Sequence, residues 1–515
     1  MMLRILLPLI LVLGTLSGCA INPVTGKSEL SLVSESQEIA LGQKNYLPMR
    51  QMQGGDYVVD KALTKYIDEV GQRLAKVSDR KLPYQFVVLN NSVPNAWALP
   101  GGKIAFNRGL LVELNNEAEL AAVIGHEIVH AAARHGAKGM ERGMLLQGAV
   151  LATAIATSNS DYAALATGGA QVSAQLVNTK YGRDAELESD LYGMEYMKRA
   201  GYDPSAAIKL QETFVRLSEG RNQSWIQGLF ASHPPSQERV DTNRETAQRL
   251  GAGGELGAAR FKKMTAHALK TKAAYSAYDK GRKALKDGDA KTALRLAEKA
   301  ISIEPKESHF YALKGDVLLE KNNYKDALGL YNKALQLNSN FFRYYVQRGV
   351  VKQKLGNDPG AKKDFEASAK LLPTDTAMNG LGKLALAAND RQSAIKYFEA
   401  AASSNSADGK QAQSNLVRLD LSVRPERYLK LRTGLNKRGY VVAEVTNPTS
   451  VAIRDVRVTF QYLDSRGGVR DFTAPIPGIL KPGARVQVPT RLGPVSNTSA
   501  LRNVKARISE AKIAN

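Results

Sequence analysis

His126-Glu127-Ile128-Val129-His130 is the stretch of this 515-residue chain whose residue types and spacing are those of a metal centre. The segment before it, Glu117 to Ile124, has the composition and periodicity of a helix. Side chains four residues apart lie on one helical face, so His126 and His130 can offer two neutral imidazoles to one zinc ion. Glu127 follows the first ligand and can reach a water at that ion. Zinc lowers the pKa of such a water, and a carboxylate can take its proton, which is the chemistry of metal-assisted peptide hydrolysis. The chain has only six histidines, so chance pairing around a glutamate is a weak explanation.

A catalytic zinc with an open position needs a third protein ligand. Arg183-Asp184-Ala185-Glu186-Leu187-Glu188-Ser189-Asp190 supplies the candidate. Glu186 and Asp190 are four apart and share a face of a second helix. Glu186 would ligate, and Asp190 would accept a hydrogen bond from a ligand imidazole and fix its tautomer. Glu188 lies about 200° round that helix from Glu186 and is the poorer ligand.

The elements that must position these residues can be read along the chain. Tyr84 to Leu89 and Lys103 to Phe106 read as β runs. Between them, Pro100-Gly101-Gly102 is a turn signal, which suggests a hairpin or a sheet edge. Met144 to Thr157 is apolar but too short for a membrane span, and reads as a buried helix or a cover near the site. Gly253-Gly254 marks a linker. Beyond it Gly281, Gly315 and Gly349 recur every 34 residues, as do Ala293, Ala327 and Ala361. Pro305 and Pro373 close repeats, and a looser copy carries Gly382, Ala394 and Phe398. This pattern resembles the tetratricopeptide repeat, whose paired helices approach through small residues and present a concave face to protein partners. From about 424 the chain alternates, as in Tyr440 to Val445 and Val456 to Leu463, with turns at Asn447-Pro448 and Lys481-Pro482-Gly483. A small sandwich of immunoglobulin type is expected there.

The N-terminus and the charge indicate the setting. Arg4, the apolar run Ile5 to Leu16 and Leu16-Ser17-Gly18-Cys19 resemble a bacterial lipoprotein signal, with Cys19 as the lipidated residue. The single cysteine excludes a disulfide framework within the chain. Ala20, where an aspartate favours inner-membrane retention in lipoproteins generally, points to the outer membrane. The charge of +22, from 71 Lys+Arg against 49 Asp+Glu, implies an anionic surface, read as membrane. An export signal and the lack of a recognition motif argue against nucleic acid as a partner.

With these residues in hand, a family resemblance becomes specific. His-Glu-x-x-His followed by Glu-x-x-x-Asp on a later helix resembles the gluzincin metallopeptidases of the HtpX/BepA type. Asn95 to Gly102, Arg134-His135 and Ser232-His233-Pro234-Pro235 are similar to further segments of that family. The resemblance covers about residues 30 to 245, and the C-terminal β region departs from it. It implies that Trp97 to Phe106 is the edge that pairs with an extended substrate backbone. It also makes His233 a catalytic candidate, as an oxyanion stabiliser or as an occluding fourth ligand.

The expected architecture is multidomain and mainly α. A signal peptide (1–18) precedes a zincin-like helical metallopeptidase domain with a small β element (19–255), a tetratricopeptide-repeat α-solenoid (270–405) and a C-terminal β-sandwich (420–515). The expected function is a one-zinc endopeptidase, lipid-anchored in the periplasm, that cleaves misassembled envelope proteins, outer-membrane proteins among them. The alternative is a tethered scaffold or chaperone with a latent metal site. Glu127→Gln separates the two.

Overall fold

The computed structural model describes residues 19–147, 181–219, 228–251, 253–463, 468–495, 501 and 504–514. The signal sequence before Cys19 and most of the apolar segment Met144–Thr157 lie outside the described residues. The chain divides into two compact units, residues 1–372 and 373–515. Among the described residues no helix is long and apolar enough to cross a membrane.

Among the described residues the first unit begins with a short hairpin, β1 (Cys19–Ile21) and β2 (Ser28–Leu30), followed by α1 (Glu35–Met52) and α2 (Lys61–Ala75). Ser34 and Gln37 close a capping box at the start of α1, satisfying two otherwise orphan backbone donors. Leu63, Ile67, Val70 and Leu74 of α2 recur at helical spacing and are wholly buried. Each such aliphatic side chain contributes about 1.5–3 kcal/mol on leaving water.

The sheet beneath is three-stranded: β3 (Gln85–Leu89), β4 (Ala96–Leu99) and β5 (Lys103–Asn107), in the order β3-β5-β4. β4 and β5 form an antiparallel hairpin. Its turn needs Gly101 and Gly102 at φ of 77° and 79°, where a side chain would be strained. β3 runs parallel to β5. This corrects the expectation for Trp97 to Phe106: Lys103 to Phe106 is the central strand, hydrogen-bonded on both sides. Of that segment, only Ala96–Leu99 lies at a sheet edge, β3 forming the other.

Three further helices complete the catalytic region: α3 (Arg108–Leu111), α4 (Glu117–Ala132) and α5 (His135–Gln147). They are followed by α6 (Arg183–Arg199), α7 (Ala206–Glu219), α8 (Leu229–Ser232) and α9 (Gln237–Leu250). α4 is buried along its whole length. It starts at Asn116, whose side chain accepts from Glu119 N at 2.9 Å, while Glu119 accepts from Asn115 N at 2.8 Å.

α10 (Ala258–Lys270) leads into the repeats. The pairs are α11 (Lys272–Lys286) with α12 (Ala290–Ile303), α13 (Ser308–Glu320) with α14 (Tyr324–Leu337), and α15 (Phe342–Lys354) with α16 (Asp358–Leu371). The periodic small residues sit at the contacts. Ala293, Ala327 and Ala361 are fully buried. A Cβ on Gly315 would meet the Tyr331 ring at 3.0 Å, and one on Gly349 the Phe365 ring at 2.7 Å. Glycine on the first helix of each of these pairs therefore makes room for an aromatic ring on the second.

The second unit holds α17 (Asp375–Ala387), α18 (Arg391–Ala401) and α19 (Ala407–Asp420). Gly382 repeats the pattern there against Phe398. Two three-stranded antiparallel sheets follow. One is formed by β6 (Lys430–Leu435), β7 (Val441–Thr446) and β10 (Arg485–Pro489). The other is formed by β8 (Ile453–Leu463), β9 (Val469–Pro475) and β11 (Val504–Ile513).

Candidate active site

His126 and His130 stand one turn apart on α4, and their Nε2 atoms are 2.9 Å from each other. α6 crosses α4 at backbone contact. A Cβ on Gly125 would lie 2.9 Å from the Gly193 carbonyl oxygen, and one on Gly193 3.0 Å from the His126 amide nitrogen. Only two glycines permit so close a crossing, and it brings Glu186 and Asp190 to the histidines. Glu186 Oε1 is 3.4 Å from His130 Nε2, and its Oε2 is 3.6 Å from His126 Nε2. The loop after α8 adds His233, with Nδ1 3.0 Å from Glu186 Oε1 and 3.2 Å from His126 Nε2. Ligand atoms of His126, His130, Glu186 and His233 all lie within 4.8 Å of one another, and all four residues are buried.

The outer ring of contacts sets the imidazole tautomers. Asp190 Oδ1 lies 2.9 Å from His126 Nδ1, so that nitrogen carries the proton. Arg239 of α9 holds Asp190 with Nε at 2.7 Å and Nη2 at 2.8 Å, and reaches Glu186 Oε2 with Nη1 at 2.9 Å. On the other side His135 Nε2 faces Glu188 Oε1 at 3.1 Å, while its Nδ1 faces His130 Nδ1 at 2.9 Å. The self-consistent assignment has His135 donating to Glu188 and His130 donating to His135. Tyr181 stacks on His130 with ring centroids 4.0 Å apart.

Both Nε2 atoms are then bare lone pairs pointing at each other across 2.9 Å, with a carboxylate beside them. Two imidazole nitrogens and a carboxylate oxygen are the donors a borderline-soft divalent cation takes, and such an ion relieves that repulsion. The residues present fit such an ion.

The charge states agree with this chemistry. Burial pushes the His130 imidazole well below its usual range, keeping it neutral. Burial works against ionisation of Glu186, but His233, His130 and His126 outweigh it and hold the carboxyl well below the usual range. Burial raises Glu127, against the pull of His233 and His126. Both Glu127 carboxylate oxygens are buried without a hydrogen-bond partner, and His233 Nε2 lies 3.5 Å from Oε1. Beside Glu127 is a cavity of about 40 Å³ walled by Val123, Met194, Leu210, Phe214 and Leu229.

Every residue that sequence reasoning nominated for the metal centre is thus in one cluster: His126, Glu127, His130, Glu186, Asp190 and His233. Cys19, the nominated lipidation residue, pairs its backbone with Leu30 in the first hairpin. Sequence reasoning missed Arg239, Tyr181 and the two crossing glycines. It noted His135 and Glu188 without a role. The available signal was thin: Arg239 stands six residues after His233, and Gly125 directly precedes the first histidine.

A His-Glu-x-x-His helix, a glutamate from a later helix, α6, and a carboxylate behind the first imidazole define a metallopeptidase domain of the gluzincin arrangement. The chain belongs to peptidase family M48, whose description matches residues 61–247. A TPR repeat matches residues 315–356. The chain is 31% identical over 238 residues to the beta-barrel assembly-enhancing protease of Escherichia coli K12, covering 44% of this chain and 47% of that one. It is 30% identical over 244 residues to the protein of the same name from Yersinia pestis, covering 46% and 49%. It is also 30% identical over 212 residues to metalloprotease YcaL of Escherichia coli K12, covering 39% of this chain and 77% of that one. The chain spans about half the length of the two assembly-enhancing proteases.

Proposed function

We propose that this chain is a zinc metalloendopeptidase of the bacterial envelope. The reading rests on one observation above all: two imidazole lone pairs and the Glu186 carboxylate converge beside a buried Glu127 whose oxygens have no hydrogen-bond partner. His126, His130 and Glu186 would hold one zinc ion, which acidifies a water and polarises a scissile carbonyl. Glu127 takes the proton of the attacking water on its carboxylate and passes it to the departing amine, and burial suits it to both duties. Asp190, gripped by Arg239, keeps His126 in the ligating tautomer, and His135 with Glu188 does the same for His130. His233 reaches both Glu186 and Glu127, which fits an occluding donor or a stabiliser of the carbonyl oxygen once displaced.

The setting follows from the signal-like start, Cys19 as lipid acceptor, and relatives named for barrel assembly. The substrates proposed are misfolded or misassembled outer-membrane proteins in the periplasm, which expose strand edges. The repeats would hold protein partners, and the outer membrane would be the anchoring surface. The domains proposed are a peptidase domain at 19–255, repeats at 270–405 and a small β-sandwich at 420–515 built from the two terminal sheets.

A tethered scaffold with a latent site is the second reading, favoured by His233 standing in the fourth corner of the cluster. Zinc analysis with casein cleavage decides between them. Glu127→Gln should keep one zinc per chain and lose about 10²–10⁴-fold in cleavage rate. If wild type and His233→Ala both hold zinc and neither cleaves, the scaffold reading remains.

A further inference from the structure

Some 230 Å³ of cavity lies between the catalytic region and the first repeats, away from the metal cluster. One wall carries Arg108, only 2% exposed. Its guanidinium donates to Ser92 Oγ at 2.6 Å and lies 3.4 Å over the Tyr275 ring. Its Nε has no partner, and among the described residues no carboxylate pairs with it. A buried cation with no carboxylate at ion-pair distance is costly, and an arginine fork matches a carboxylate with two parallel hydrogen bonds.

The acids nearby are engaged elsewhere. Both Glu307 oxygens are taken, by Asn90 Nδ2 at 2.9 Å, Tyr275 OH at 2.7 Å and His309 N at 2.9 Å. Asp316 accepts from Tyr331 at 2.6 Å and from Arg343 at 2.9 Å. Asp279 makes no ion pair with Arg108: it bonds Ser92 and feels the Arg108 charge only at longer range, and burial raises its carboxyl. Arg282 stands exposed at the rim.

A second group in the same cavity lacks a partner of the opposite kind. Asn90 is buried, and its Oδ1 is an unsatisfied acceptor. The bond from Nδ2 to Glu307 fixes that amide's orientation, so Oδ1 is the oxygen. One unpaired guanidinium and one unpaired acceptor call for a ligand that brings a carboxylate and an N–H donor together.

We propose that this cavity receives the carboxylate-bearing end of a bound polypeptide, the carboxylate on Arg108 with Arg282 at the mouth and a backbone N–H on Asn90 Oδ1. The carboxylate is a chain terminus or an acidic side chain. The site holds a partner or substrate independently of cleavage.

The test is fluorescence anisotropy on the full-length Glu127→Gln chain with three labelled pentapeptides. One ends Ala-Phe with a free carboxylate, one is its C-terminal amide, and one is an amide with glutamate last. At least one of the two acidic peptides should bind about 10-fold more tightly than the neutral amide, and which one does identifies the source of the carboxylate. Binding should weaken with salt. Arg282→Gln, a change at the rim, should weaken it about 3-fold or more. Arg108→Met should weaken it about 30-fold while leaving Tm unchanged or higher, since a buried unpaired charge is removed. A purely structural Arg108 would instead lower Tm. Equal binding by all three peptides, undiminished binding by Arg108→Met, no binding at millimolar peptide, or stabilisation by sulfate alone would each overturn the proposal.

Discussion

Gly193→Ala tests the crossing that assembles the metal cluster. The added methyl would sit 3.0 Å from the His126 amide nitrogen, with further contacts at 3.1 Å and 3.3 Å, all backbone or Cα atoms of α4. Ordinary carbon contacts begin near 3.5 Å, so the helices must separate by about 0.5 Å. Neither backbone can rotate away as a side chain could. The packing cost should be about 1–3 kcal/mol. Glu186 and Asp190 ride on α6, so the same shift opens their spacing to His126 and His130. Disturbing groups that orient metal ligands costs about 10–100-fold in affinity. The assay is zinc competition against a chromophoric chelator, with a thermal melt on each variant. Gly182→Ala is the control, because a Cβ there meets nothing within 4 Å. If Gly193→Ala binds zinc and melts like wild type, the crossing does not set the ligand geometry and the reasoning is wrong.

Three further outcomes follow from the same contacts. Asp190→Asn leaves Arg239 with one of its two buried carboxylates, so the fold should lose about 3 kcal/mol by denaturant titration, and zinc affinity should fall at least 10-fold. His135→Phe keeps the ring's bulk but removes the acceptor for His130 Nδ1. Zinc affinity should drop about 10-fold with little change in melting, and a variant with native affinity would sink the tautomer assignment. Tyr331→Ala empties the space facing Gly315, so the repeats should lose about 3–5 kcal/mol while zinc content stays at wild-type level.

The repeat array was the most legible part of the fold. Each copy must solve one packing problem, glycine or alanine on one helix against a ring or a small residue on the next. The solution therefore recurs along the chain at fixed spacing, and the array can be read without knowing where it lies. The histidine pair was legible for a related reason: four residues on a helix is a local distance. The strands were found but not their order. Lys103 to Phe106 and Ala96 to Leu99 carry similar apolar residues, and alternation does not tell a central strand from an edge when both are buried. The parallel partner β3 makes the difference, through a pairing that no turn signal announces.

Residue identity and local spacing alone specified a metal-binding helix with its adjacent base, an acidic pair on another helix, and a helical repeat, because these depend on helical pitch. Tertiary structure decided whether the acidic pair meets the histidines, since that distance is set by two glycines 68 positions apart in contact. It also decided that Arg239, His135 and Tyr181 belong to the site. Their roles depend on which atoms face them across the core, and such proximity leaves no periodic trace along a chain.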